Sequence, residues 1–80
     1  MKISTEFYGR LKEEFSQSPI ELTIEGNTTI EAIYLQLCSS HQITPNTQVI
    51  KPILNDTFAD WQDRVSAHDV IGFFPPAAGG

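Results

Sequence analysis

Apolar and polar residues alternate from the first positions of the chain. Over residues 2–8, Ile3, Thr5 and Phe7 fall on one face of an extended segment and Lys2, Ser4, Glu6 and Tyr8 on the other, which predicts a half-buried strand. Residues 9–18 break the alternation, and Leu11 and Phe15, four apart, predict one or two helical turns there. Alternation returns with Ile20, Leu22 and Ile24 against Glu21, Thr23 and Glu25, a second strand closed by Gly26-Asn27.

The period then changes. Ile30, Ile33, Tyr34 and Leu37 recur at helical spacing, one stripe facing a core, and Thr28 with Glu31 matches a capping box. A helix over residues 28–39 follows, with residues 39–46, including Pro45, as a connecting loop. Residues 49–54 are rich in strand formers but carry Pro52, which lacks a donor and suits an edge or a bulge. Asn55-Asp56 has turn chemistry, and Thr57-Phe58-Ala59 reads as a short return strand. Residues 60–67 read as irregular, anchored by Trp61 and Val65. Val70-Ile71-Gly72-Phe73-Phe74 is a continuous apolar run, as expected of a final strand buried on both sides in the middle of the sheet. The order β-β-α-β-β-β, with one main helix laid on a mixed sheet, gives a two-layer α+β domain.

Composition narrows the function. Eighty residues make one domain with a modest core, which the 40% hydrophobic content can supply. The net charge of −5 disfavours nucleic acid, whose phosphates need a basic face, and favours a basic protein surface. A single cysteine, Cys38, cannot form an internal disulfide, and no leader-like or membrane-spanning run is visible, so a cytoplasmic location is expected.

Candidate side-chain chemistry is sparse. His41, His68 and Cys38 lack the paired spacing of a metal site, and no metal is expected. The two histidines read as loop residues, and Cys38 as part of the helix's apolar stripe. Asp60 and Asp63 read as solvated carboxylates, and Gly26-Asn27-Thr28-Thr29 as a turn and helix cap, not a phosphate loop.

The informative segment is the ending. Two prolines hold the chain extended after the last strand, and four residues with almost no side chain follow. From Pro75 to Gly80 such a chain reaches about 20 Å. A thin peptide of this kind can enter a narrow channel and present a carboxylate, which becomes an electrophile once activated as an acyl-adenylate.

The stretch Asp69-Val70-Ile71-Gly72-Phe73-Phe74-Pro75-Pro76-Ala77-Ala78-Gly79-Gly80 resembles the ending of molybdopterin synthase small subunits, the MoaD-type sulfur carriers. Their hallmark, a strand running into Phe-Phe-Pro-Pro, two residues and a terminal Gly-Gly, is met by Phe73, Phe74, Pro75, Pro76, Gly79 and Gly80. The chain departs from them at His68-Asp69, where Gly-Asp is common, and at Pro52.

The resemblance implies a ubiquitin-like β-grasp domain over residues 1–76 and a flexible Gly-Gly tail over residues 77–80. It implies that an ATP-using adenylating and sulfurating enzyme activates Gly80 and makes it a thiocarboxylate. Docked on the synthase large subunit, commonly as a heterotetramer, the tail would give its sulfur to cyclic pyranopterin monophosphate. Catalytic side chains would then belong to the large subunit, this chain being the sulfur-donating subunit of a sulfurtransferase with no cofactor of its own. Phe73, Phe74, Pro75, Pro76, Ala77, Ala78 and Gly79 are the expected partner-binding residues, with one of Phe73 and Phe74 in the core and the other at the interface. Three alternatives stay open: a sulfur carrier for thiamine or another pathway, a ubiquitin-like modifier joined to lysines, and an interaction module with an inert tail.

Overall fold

The computed structural model describes residues 1–76. In chain order the elements are β1 (Lys2–Phe7), α1 (Leu11–Phe15), β2 (Ile20–Thr23), α2 (Ile30–His41), β3 (Lys51–Leu54), β4 (Thr57–Phe58) and β5 (Val70–Phe74). The strands form one mixed sheet in the order β2-β1-β5-β3-β4, with β1 and β5 parallel and the other neighbours antiparallel. Helix α2 covers one face, so the fold is the ubiquitin-like β-grasp, and the apolar run 70–74 takes the central strand as expected.

Alternation in β1 sends Ile3, Thr5 and Phe7 inward, and all three are buried. Thr5 is the one buried polar side chain among the described residues, and its hydroxyl donates to the Ile20 carbonyl at 2.9 Å, so its burial leaves no unpaired group. From the other layer α2 contributes Ile30, Ile33, Tyr34, Leu37 and Cys38. These residues share one core with Phe7, Phe15, Ile71 and Phe73. Phe7 and Phe15 stack with centroids 4.0 Å apart, so the short α1 is held by its aromatic end.

The helix boundaries differ from the expected 28–39. Thr29 is the N-cap, its hydroxyl accepting from the Ala32 amide at 3.1 Å, while the Thr28 hydroxyl donates to the Glu25 carbonyl instead. Glu31 therefore closes no capping box; its carboxylate accepts from Gln62 at 3.2 Å. At the other end the helix takes in His41, expected from the sequence in a loop. It stops where Gln42 turns left-handed (φ 57°) and the Ile43 amide reaches the Cys38 carbonyl at 2.8 Å.

Pro52 also sits differently: β3 lies inside the sheet, between β5 and β4. The Pro52 carbonyl accepts from Ala59 at 3.2 Å, so its nitrogen faces the β4 side, just past the end of that two-residue strand. The missing donor ends the β3–β4 ladder and leaves the β3–β5 ladder untouched. Residues 60–67 are irregular, with Val65 buried and the Trp61 indole donating to the Thr47 carbonyl at 2.8 Å.

Candidate functional site

Because β5 is bonded on both sides, its alternation assigns each residue to one of two faces. Ile71 and Phe73 point toward α2; Val70, Gly72 and Phe74 point to the face that carries no helix. Phe73 is fully buried, packed against Phe7, Tyr34 and Trp61 at centroid separations of 5.6, 5.4 and 6.1 Å. Phe74 is half-buried and stacks on Tyr8 with centroids 4.3 Å apart and planes 8° from parallel. The two phenylalanines thus divide into a core anchor, Phe73, and a surface aromatic, Phe74. Pro75 and Pro76 follow, half-buried. Ala77, Ala78, Gly79 and Gly80, and with them the expected flexible tail, lie outside the described residues.

Register sets which groups neighbour Phe74 on the open face. Lys51 pairs with Phe74, Ile53 with Gly72, and Phe58 with Ile53. Phe58 is 76% exposed and Val70 37%, so Tyr8, Phe74, Ile53, Phe58 and Val70 share the open face with the polar Glu6 and Lys51, and Tyr8 and Phe74 lie nearest the root of the tail. Tyr8, Ile53 and Phe58 were not singled out from the sequence. Tyr8 was placed on the correct face of β1, but its pairing with Phe74 depends on a parallel register between chain ends.

The side chains that could carry chemistry are otherwise engaged. Cys38 is 1% exposed, and burial pushes its thiol up, away from the thiolate a nucleophile needs. Tyr34 is pushed up to about 12, first by burial, while its hydroxyl accepts from the Asn46 amide at 3.1 Å. His41 lies on its own helix, Nδ1 3.0 Å from the Leu37 carbonyl, with its ring edge against Phe15. His68 occupies a left-handed turn position (φ 69°), and the Asp63 carboxylate accepts from the Asp60 amide at 3.0 Å. Among the described residues no group of three His, Cys, Asp or Glu side chains could hold a metal ion, and no helix is long and apolar enough to cross a membrane. A shallow cleft of about 260 Å³, lined by Glu6, Phe7, Tyr8, Lys12, Ser18 and Pro19, is smaller than most ligand pockets.

The sequence profile of the ThiS family matches residues 6–80. Among curated proteins none matches the chain in sequence. The fold is similar to that of SAMP1, a small archaeal modifier protein of Haloferax volcanii, at a TM-score of 0.84 with 18% identity, each chain covered in full. It is similar to a putative molybdopterin converting factor subunit 1 of Pyrococcus furiosus (TM-score 0.80, 14% identity, 96% of this chain and 99% of that one). A chain from the complex of subunits 1 and 2 of the molybdopterin-converting factor of Helicobacter pylori is also similar in fold (TM-score 0.66, 22% identity, 100% of this chain and 100% of that one).

Proposed function

The chain belongs to the ThiS family of ubiquitin-like sulfur carriers, and we propose from this that it is the sulfur-donating subunit of molybdopterin synthase, with the Gly80 carboxylate as its reacting group. The observation that carries the reading is the position of β5. The central strand leads through Phe74, Pro75 and Pro76 directly into Ala77-Ala78-Gly79-Gly80, beside the stacked rings of Tyr8 and Phe74. A reactive end mounted in this way travels with a rigid body and needs no side-chain chemistry of its own.

In this reading a carboxylate oxygen of Gly80 attacks the α-phosphate of ATP on an adenylating enzyme and pyrophosphate leaves. Sulfur from a donor then displaces AMP, which retains the carboxylate oxygen, and a thiocarboxylate results. Docked on the synthase large subunit, the tail gives that sulfur to cyclic pyranopterin monophosphate, and water restores the carboxylate. The Helicobacter pylori structure, in which subunit 1 is held with subunit 2, supports a protein partner of this kind. Phe73-Phe74-Pro75-Pro76 with Gly79-Gly80 supports the molybdopterin pathway over thiamine.

A second reading is a protein modifier, favoured by the likeness in fold to a small archaeal modifier protein. One reaction separates the two: the protein with an adenylating enzyme, ATP, magnesium and a sulfur donor, followed by intact mass. The carrier exchanges one oxygen for sulfur and then supports molybdopterin formation with the large subunit. Gly80 joined to a lysine amine, with no sulfur taken up, establishes the modifier and defeats the carrier.

A further inference from the structure

The chain entering α1 lies across the chain leaving β5, and the contact is built around Tyr8 and Gly9. Tyr8 follows β1, and its amide donates to the Phe73 carbonyl at 3.1 Å, extending the parallel pairing toward the tail. Its ring lies over Gly72 and stacks on Phe74. A Cβ at position 72 would stand 2.8 Å from Tyr8 Cε2, so only glycine lets the ring settle there. The Tyr8 hydroxyl donates to Glu6 Oε2 at 2.7 Å, which fixes the far end of the ring.

Gly9 completes the contact. It turns the backbone at φ +57°, and a Cβ there would stand 2.9 Å from Pro75 Cγ. Phe74 is thus held from one side by Tyr8, and Pro75 lies against the bare Cα of Gly9.

We propose that Tyr8 and Gly9 form a clamp that sets the direction in which the tail leaves the domain, making Tyr8 a positioning residue for the reaction at Gly80. The proposal rests on the carrier reading above. Drawn out in a partner's channel, the six residues 75–80 reach at most about 20 Å, so a swing of about 10° at Pro75 would displace the end by up to about 3.5 Å. A displacement of ~1 Å at a reacting centre can cost ~100-fold in rate. A partner that threads the tail corrects the error at the expense of binding, because an unconstrained root must be ordered on docking. The defect therefore falls on KM for the carrier and spares kcat.

The test compares wild type with Tyr8→Leu, Tyr8→Phe and Gly72→Ala, and with Leu22→Ala on the distant β2 as a control for lost stability. Pyrophosphate release by the adenylating enzyme is measured against carrier concentration. In parallel, nuclear Overhauser contacts between the rings of Tyr8 and Phe74 and between Gly9 and Pro75 are recorded in the isolated protein. Tyr8→Leu and Gly72→Ala are expected to lose the Gly9–Pro75 contact and to raise KM by about tenfold with kcat within about twofold of wild type. Tyr8→Phe, which keeps the stack, returns KM to within about threefold, and Leu22→Ala lowers the melting temperature without moving KM. If Tyr8→Leu loses the contact but leaves KM unchanged, or if Leu22→Ala raises KM as much, the clamp does not position the tail. Retention of the Gly9–Pro75 contact in Tyr8→Leu would overturn the clamp itself. Failure of wild type to be adenylated sinks the carrier reading instead, and the ring contacts in the isolated protein still decide whether the clamp exists.

Discussion

Truncation of the two adjacent phenylalanines of β5 should separate stability from partner binding. Phe73 is completely buried and touches three aromatic rings, so Phe73→Ala removes the ring's transfer energy and leaves a cavity between two layers. Such changes cost about 3–5 kcal/mol. A domain of this length holds about 4–12 kcal/mol in all, so the variant loses about a quarter of its stability or more. At about 4–8 °C per kcal/mol its melting temperature falls by more than about 12 °C. Phe74 is half-buried and its main packing partner is Tyr8, so Phe74→Ala loses about 0.5–1.5 kcal/mol of stability. Its loss appears in the complex, where an aromatic anchor beside the tail is expected to contribute about 2 kcal/mol or more. Urea denaturation followed by circular dichroism gives the first quantity, and titration with the large subunit gives the second. A Phe74→Ala protein less stable than Phe73→Ala would refute the assignment of faces, and one that binds as tightly as wild type would move the interface elsewhere.

Deletion of Gly80 draws the carboxylate back by about 3.3–3.6 Å, and adding one residue converts the reacting carbon to an ordinary amide. Both variants should abolish sulfur uptake by intact mass and change stability by no more than about 0.5 kcal/mol. Thr29→Ala should cost about 1 kcal/mol in thermal unfolding, because it removes the acceptor for the Ala32 amide, and Thr28→Ala should cost less; the reverse ranking would return the cap to Thr28. Tyr34, raised from 10.0 to about 12 mainly by burial, favours the neutral form in the fold, so its share of stability is complete below pH 10.0 and is lost as pH rises toward 12. Cys38, raised in the same direction, adds to that alkaline loss. Its thiol should react with a disulfide reagent at pH 8 only after urea is added, and rapid labelling of the native protein would contradict its burial.

Local pattern made most of the fold legible. Period-2 alternation gave the inward set of β1, the 3.6 period gave the buried stripe of α2, and the unbroken apolar run 70–74 gave the central strand. What failed depended on competition or on partners far along the chain. Thr28 and Thr29 are equivalent as letters, and the choice between them is made by the Glu25 carbonyl, which takes the Thr28 hydroxyl. Pro52 reads as an edge residue, yet its strand is internal, because β4 is too short to reach it. The apolar residues of the open face are not legible for the same reason: Tyr8 meets Phe74, and Ile53 lies between Gly72 and Phe58, only through the registers of β1 with β5 and of β3 with its two partners.

In the proposed carrier, the pleat of a single strand sets how the tail is presented. Successive residues of β5 point in opposite directions, so Phe73 and Phe74 cannot share a role. The first ties the strand to the core through three rings, and the second, one residue nearer the tail, is turned outward onto Tyr8. Hydrogen bonding to β1 and β3 on both sides keeps that assignment from slipping, since a shift by one residue would expose Phe73 and bury Phe74. The same central position leaves β5 with two faces, one covered by α2 and the other carrying Tyr8, Ile53 and Phe58 beside Glu6 and Lys51. Large apolar groups open to solvent are a liability for an isolated domain and an asset for one that works while docked. The exposed Phe58, on a strand of only two residues, therefore fits a surface kept for a partner better than a lapse in packing.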